Sequence, residues 1–220
     1  GTLPLKSVQL LSASTVGIAG TSFLIADISP DTPAISNSNL LAISFANVTG
    51  TVTLNGGAAT NDALTYFGTS GNDVVQLTQP VTSTATLFIN NQTFTLNNFT
   101  DDSMATNRIT LNTGDGDDTI TVTSDDAFEI FVQGGDSTAS DRLIIAGGGG
   151  TATLDLAAGS VTESANPVFF TGIEHVTINA TAQRNVVVDA TAGDDDLTFV
   201  SDGAQEGTLT AFGINTQFVL

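Results

Sequence analysis

Carboxylates crowd two short turns of this chain. Asp115, Asp117 and Asp118 fall within four residues in Gly114-Asp115-Gly116-Asp117-Asp118-Thr119-Ile120, and Asp194, Asp195 and Asp196 are consecutive in Gly193-Asp194-Asp195-Asp196-Leu197. A hard cation such as calcium takes about six to eight oxygens, from carboxylates and from turn carbonyls that glycine leaves exposed. Mutual repulsion among three crowded acids is relieved by such an ion. Asp73, in Gly71-Asn72-Asp73-Val74-Val75, is a sparser member of the same class. The expected metal ligands are therefore Asp73, Asp115, Asp117, Asp118, Asp194, Asp195 and Asp196, with calcium as the ion. The competing account makes these acids solvated turn residues and Asn/Asp stacks.

Catalytic chemistry has less to work with. Proton abstraction from a uronate needs a base and neutralising cations, and the basic groups are Lys6, Arg108, Arg142, Arg184 and His175. Arg142 follows Asp141 at a strand start, where an ion pair accounts for it, and His175 sits inside a strand as a structural residue. A carboxylate pair for glycoside hydrolysis is available among so many acids. Sugar-cleaving grooves are usually lined with aromatics, however, and this chain has no Trp and one Tyr, Tyr66. The thirteen Phe residues are expected to stack in the core. No catalytic residue and no organic cofactor are expected.

The elements that would hold these acids announce themselves by repetition. An acidic, glycine-rich turn runs into an alternating apolar strand at Asp73, Asp118, Asp141 and Asp195, with separations of 45, 23 and 54 residues. Steps of about 22 residues, doubled twice, indicate a stacked architecture in which each repeat is one coil. Strands are expected over 73–78, 84–89, 92–96, 108–112, 119–123, 128–133, 142–146, 151–155, 168–170, 173–179, 185–189, 197–201 and 207–211. They are rich in Thr and Val, which suit a pleated backbone. No window offers an apolar face at helical spacing. The expected fold is all-β, a parallel β-helix or β-solenoid with coils of about 22 residues that bury Val75, Ile120, Leu143 and Leu197. The alternative is an antiparallel β-sandwich, whose turns also recur often. Two-residue hairpin signals are few; Asn55-Gly56 is the only Asn-Gly pair.

Gly114, Gly116, Asp118 and Ile120 resemble the hemolysin-type (repeats-in-toxin) calcium nonapeptide, with Thr113 where its first glycine should stand. Gly71, Asp73 and Val75 match the second half of that pattern, as do Gly193, Asp195 and Leu197. The copies here are isolated rather than in tandem. A broader likeness is to Thr/Gly/Asp-rich bacterial surface, adhesin and matrix proteins, in which phrases like Gly172-Ile173-Glu174-His175-Val176-Thr177-Ile178 punctuate a β-helix. The resemblance implies a solenoid and an extracellular or cell-surface location.

Composition narrows the partners. The 220 residues carry a formal charge of −19, with 40% hydrophobic and only 12% charged residues. Nucleic acid and anionic membranes would repel such a chain. With no cysteine, disulfides and thiolate metal sites are excluded. No leader segment is visible, and the uncharged stretch 7–26 reads as buried strands rather than a membrane span. Asn47, Asn91, Asn98 and Asn179 sit in acceptor patterns for N-glycosylation.

Charge divides the chain near residue 60, because nineteen of the twenty-three acids follow residue 100. We expect residues 1–60 to form an apolar capping or assembly segment and residues 61–220 an acidic solenoid domain. Phe212, Ile214, Phe218, Val219 and Leu220 make the last segment apolar as well. The expected protein is non-enzymatic, structural or adhesive, and meets other copies of itself or neighbouring domains end to end. A carbohydrate-binding or carbohydrate-cleaving module is the rival.

Overall fold

The computed structural model describes residues 7–10, 16–19, 22–26, 34–36, 42–45, 52–55, 63–81, 84–97, 107–123, 128–135, 140–146, 151–163, 166–179, 185–201, 206–211 and 214–219. These residues are all-β, as their composition predicts. The first strands are β1 (Ser7–Leu10), β2 (Val16–Ala19), β3 (Ser22–Ala26), β4 (Ala34–Ser36), β5 (Ala42–Phe45) and β6 (Val52–Asn55). The middle of the chain supplies β7 (Ala63–Phe67), β8 (Val74–Val81), β9 (Thr84–Ile89), β10 (Gln92–Asn97), β11 (Asn107–Asn112) and β12 (Thr119–Thr123). Then come β13 (Phe128–Gln133), β14 (Arg142–Ala146), β15 (Thr151–Asp155), β16 (Ser160–Thr162) and β17 (Val168–Thr171). The last are β18 (His175–Asn179), β19 (Asn185–Asp189), β20 (Thr198–Ser201), β21 (Glu206–Ala211) and β22 (Ile214–Val219).

Two mixed sheets of eleven strands each contain all of them, and neither closes on itself. The first runs β1-β5-β4-β3-β7-β11-β13-β17-β16-β15-β19, the second β2-β6-β10-β9-β8-β12-β14-β18-β22-β21-β20. Most pairings are parallel. An antiparallel sandwich is thus not what forms, although antiparallel meanders interrupt both sheets at β3–β4–β5, β8–β9–β10, β15–β16–β17 and β20–β21–β22.

Alternation along the strands explains the burial. Leu64 and Tyr66, Val75 and Leu77, Ile109 and Leu111, Ile120 and Val122, and Leu143 and Ile145 are fully buried, and they belong to one apolar cluster drawing on both sheets. Ile120 lies opposite Val75 on one side and Leu143 on the other, so the register read from the turn aspartates holds for these three. Leu197 departs from it and is 42% exposed. β3 pairs with β7 and β6 with β10, so strands on either side of the charge boundary near residue 60 share both sheets.

The spacing needs a correction. The 45 residues from Asp73 to Asp118 are one step, not two: β7 pairs directly with β11 and β8 with β12. The extra length is the hairpin β9–β10, turned by Asn90 (φ 44°) and Asn91 (φ 79°). Two consecutive left-handed residues make the twist that a two-residue hairpin requires, and asparagine tolerates it. Only the step from β11/β12 to β13/β14 has the expected length, with Asn107 opposite Phe128 and Thr119 opposite Arg142. After residue 60, strands β7, β16 and β22 were not expected from the sequence.

The back-folding meanders follow a rule. Strands β13 to β22 repeat the pairings of β1 to β10 one for one. β1–β5 corresponds to β13–β17, β2–β6–β10 to β14–β18–β22, and β3–β7 to β15–β19, while each antiparallel meander has its counterpart. The register agrees at residue level. Gln76 opposite Phe88 becomes, 122 residues later on both strands, Thr198 opposite Thr210. β11 and β12 stand between the two units.

Candidate functional site

The turns that link the two sheets stack into a column of acids. The backbone N–H of Asp73 donates to Oδ1 of Asp118 (2.7 Å), that of Asp118 to Oδ1 of Asp141 (2.8 Å), and that of Asp141 to Oε2 of Glu174 (2.8 Å). The carbonyls run the opposite way: Asp73 O accepts from Thr119 N, Asp118 O from Arg142 N, and Asp141 O from His175 N. Each acid therefore ties its level to the next through both side chain and backbone. At Asp73 the column ends on local donors. Its Oδ2 accepts from Thr69 N (2.7 Å), and its Oδ1 accepts from Asn90 Nδ2, whose own Oδ1 takes the Val74 N–H (2.8 Å).

Glycine makes room for this column. A Cβ at Gly68 would lie 2.0 Å from the Thr113 carbonyl oxygen and 2.5 Å from Asp73 Oδ2. At Gly134 the same atom would meet Gly172 O at 2.0 Å and Asp141 Oδ2 at 2.5 Å. Thr113 occupies the equivalent place beside Asp118 and is fully buried, its hydroxyl donating to Gly134 O (3.2 Å). The residue that breaks the nonapeptide pattern is thus a stacking residue with a satisfied hydroxyl.

Asp73, Asp118 and Asp141 are at most 1% exposed. Burial pushes the Asp118 carboxyl up to about 6, the charges of Asp141 and Asp73 adding to it, while the Thr113 hydroxyl and the Asp73 N–H pull the other way. Asp141 is raised as well, first by burial and then by Glu174 and Asp117. Oδ2 of Asp118 and Oδ2 of Asp141 are buried without a hydrogen-bond partner, as is the Tyr66 hydroxyl. Burial, and then the nearby Asp73 charge, drives the Tyr66 ionisation far above the ordinary tyrosine range. An unpartnered buried oxygen is costly when charged, which is why burial shifts the Asp118 and Asp141 carboxyls upward.

The structure divides the seven expected metal ligands. It brings Asp73 and Asp118 together inside the column, and leaves Asp115 and Asp117 exposed in the same turn as Asp118. The N–H of Asp117 donates to Asn72 Oδ1 (3.0 Å). Asp195 is half-buried and accepts from Thr191 Oγ1 (2.6 Å), while Asp194 and Asp196 are exposed. These three sit in the β19–β20 turn, away from the Asp73–Asp118 column. Among the described residues no three of His, Cys, Asp and Glu are grouped to hold a metal ion.

Sequence reasoning missed Glu174 as the fourth member and placed Asp195 there instead. Glu174 precedes its strand as each turn aspartate does, and this was the available signal. Its extra methylene and the intervening hairpin β15–β16 hid it.

Two surface features remain. On the outer face of the first sheet Phe131 stacks on Phe169 (centroids 4.9 Å apart), and the Arg108 guanidinium lies 4.5 Å over Phe131 while bonding Glu129 (3.0 Å). Both rings are partly exposed, which corrects the expectation that the phenylalanines stack inside; Phe94, Phe128 and Phe170 are buried in the core. His175 stands between Arg142 and Asn215 across β14, β18 and β22 and lines a shallow groove with Thr208 and Gln217. No described helix is long and apolar enough to cross a membrane. No protein-family model, curated protein or solved structure matches this chain.

Proposed function

We propose that this chain is a non-enzymatic, extracellular β-solenoid, a structural or adhesive element of a cell surface akin to bacterial surface and matrix proteins. The supporting observation is the Asp73–Asp118–Asp141–Glu174 column, in which Asp118, Asp141 and Glu174 each accept a backbone N–H from the adjoining level through one carboxyl oxygen. Such acids hold a stack together; they do not face a substrate. The parallel levels, linked turn over turn, suit an elongating scaffold. Calcium enters this reading as a counter-ion of the exposed Asp115, Asp117, Asp194 and Asp196, where a charge of −19 needs screening. End-to-end contact with further units completes the proposal.

Antibody raised against the purified chain and applied to intact cells of the source tests the location. Labelling before permeabilisation is expected; labelling only afterwards overturns the surface assignment.

Carbohydrate binding is the second reading, favoured by the Arg108–Phe131–Phe169 face, since half-exposed aromatic rings stack on sugars. Tyr66, the other aromatic considered for that role, is fully buried. Glycan binding lost on Phe131→Ala would promote this reading, and a flat response on a broad glycan array removes it.

A further inference from the structure

The correspondence between the two ten-strand units exposes a place where one unit is covered and the other is not. In the first, β7 and β8 are flanked by β11 and β12. Their counterparts β19 and β20 are the last strands of their sheets, with nothing beyond them among the described residues. Side chains record the difference. Leu64, Tyr66 and Val75 are fully buried, whereas Val186, Val188 and Leu197, each 122 residues later, are half-buried, half-buried and 42% exposed. Asp73 is buried and Asp195 is only half so. The turn itself keeps its geometry. Gly71 N donates to Thr69 Oγ1 (3.1 Å) and Gly193 N to Thr191 Oγ1 (3.3 Å), and each threonine hydroxyl bonds its turn aspartate.

We propose that the β19/β20 edge is a docking surface for a strand–turn–strand segment of the β11–β12 kind, supplied by a further unit of this same repeat. The proposal rests on the stacked reading given above and names the partner of its open end. Three features of the edge define what fits. Both sheets end at the same level, so the partner adds one parallel strand to each at once. The Asp195 N–H is the counterpart of the Asp73 N–H, which donates to Asp118, so the incoming turn carries a carboxylate at that position. Asp194, the counterpart of Asn72, offers oxygens to the turn N–H that Asp117 presents. The segment's inward apolar residue, Ile120 in the first unit, then covers Leu197 as it covers Val75. A second copy of these 220 residues is not the occupant, because its own β11–β12 pair is already held on both sides.

The chain has no cysteine, so engineered thiols report register without interference. Thr198 is exposed and is the counterpart of Gln76, which lies opposite Thr121. The full chain carrying Thr198→Cys is mixed, under mild oxidation, with a synthetic peptide of residues 107–123 carrying Thr121→Cys. Adjacent in-register strands bring two Cα atoms within disulfide reach. The expected result is a covalent heterodimer, formed several-fold faster than with the thiol moved to Thr110 or Thr123, and several-fold slower when the peptide also carries Asp118→Ala. Absence of the heterodimer, equal rates at all three thiol positions, or indifference to Asp118→Ala overturns the proposal. So does light scattering that shows the Thr198→Cys chain already dimeric through its introduced thiol without peptide, which would make a second copy the occupant. These outcomes leave the surface-labelling test untouched, so the docking inference and the location can fail separately.

Discussion

The Asp73 N–H reaches Oδ1 of Asp118 across 2.7 Å, although 45 residues and a whole hairpin separate them. A carboxylate accepting a buried backbone N–H is a charge-assisted bond when ionised and an ordinary one when protonated. Either way it satisfies a donor that would otherwise be stranded between two levels. The acids that looked like cation ligands are therefore, in part, the mortar between turns.

Asp118→Ala removes that acceptor and leaves the Asp73 N–H unpaired inside the protein. A stranded buried donor costs about 1–3 kcal/mol, and urea unfolding is expected to register a loss of that size. Asp118→Asn keeps an acceptor oxygen in place and should lose much less. Equal losses in the two variants would show that the bond to Asp73 does not matter.

The same carboxyl sets a pH dependence. Its folded value is raised to about 6, above an ordinary aspartate, so the folded state holds the proton more tightly than the unfolded chain. Its contribution is fully present below the ordinary carboxylate range near pH 4 and is lost as pH rises through about 6. Asp141, also raised, acts in the same direction. Thermal midpoints should fall between about pH 4 and 7, and Asp118→Asn should flatten part of that slope. A variant whose profile parallels the parent would remove Asp118 from the account.

How much of this was visible in the sequence follows from the range of each interaction. Strands such as 119–123, 128–133 and 142–146 were legible because alternation and β-branching are local, and the bounds came out to the residue. The pairing of Asp73 with Asp118 was legible as a repeated phrase but misread in step length, because Asn90-Asn91 lacks the glycine that usually marks a two-residue hairpin turn. Glu174 was hidden by chemistry: a different acid, one methylene longer, does the work of an aspartate. The exposure of Leu197 depends on which strands lie beyond it, and no local pattern carries that. The expectations for the side chains of residues 1–45 and for Phe212, Phe218, Val219 and Leu220 fall outside the described residues.

Glycine substitutions distinguish positions that look alike in sequence. Gly134→Ala would drive a methyl to 2.0 Å from Gly172 O and 2.5 Å from Asp141 Oδ2, backbone and column together. Overpacking of this sort costs about 1–3 kcal/mol. Gly71→Ala meets nothing closer than Thr69 Oγ1 at 3.9 Å and should be within about 0.5 kcal/mol of the parent. Chemical denaturation of the pair checks the ordering, and a larger loss at Gly71 contradicts the packing of the turns.

Tyr66 gives an optical report of the core. It is the only tyrosine, and there is no tryptophan, so ultraviolet absorbance of tyrosinate reads this one group. Burial and then Asp73 hold its ionisation far above the ordinary value of about 10. Its neutral form is bound more tightly in the folded state, so the contribution is present below about pH 10 and is lost as pH climbs beyond. Tyrosinate absorbance is expected to appear only in a cooperative step that coincides with loss of β circular dichroism. A gradual titration centred near the ordinary value in folded protein would place Tyr66 in contact with water.

Calcium provides the last test, because its two candidate roles differ in selectivity. A chelating site with rigid oxygen ligands separates calcium from magnesium by size and coordination number. Exposed carboxylates that merely gather counter-ions do not, and their response fades as salt shortens the screening length to about 8 Å at physiological strength. Asp115, Asp117, Asp194 and Asp196 are all exposed, and the oxygens of Asp73 already accept from Thr69 and Asn90. At low ionic strength, millimolar calcium and millimolar magnesium should each raise the thermal midpoint by similar amounts, with little left of either effect in about 0.5 M sodium chloride. The paired substitution Asp115→Asn with Asp117→Asn should shrink both responses together. A calcium increment that magnesium does not reproduce, and that persists in high salt, would replace the counter-ion account with a true ligand set.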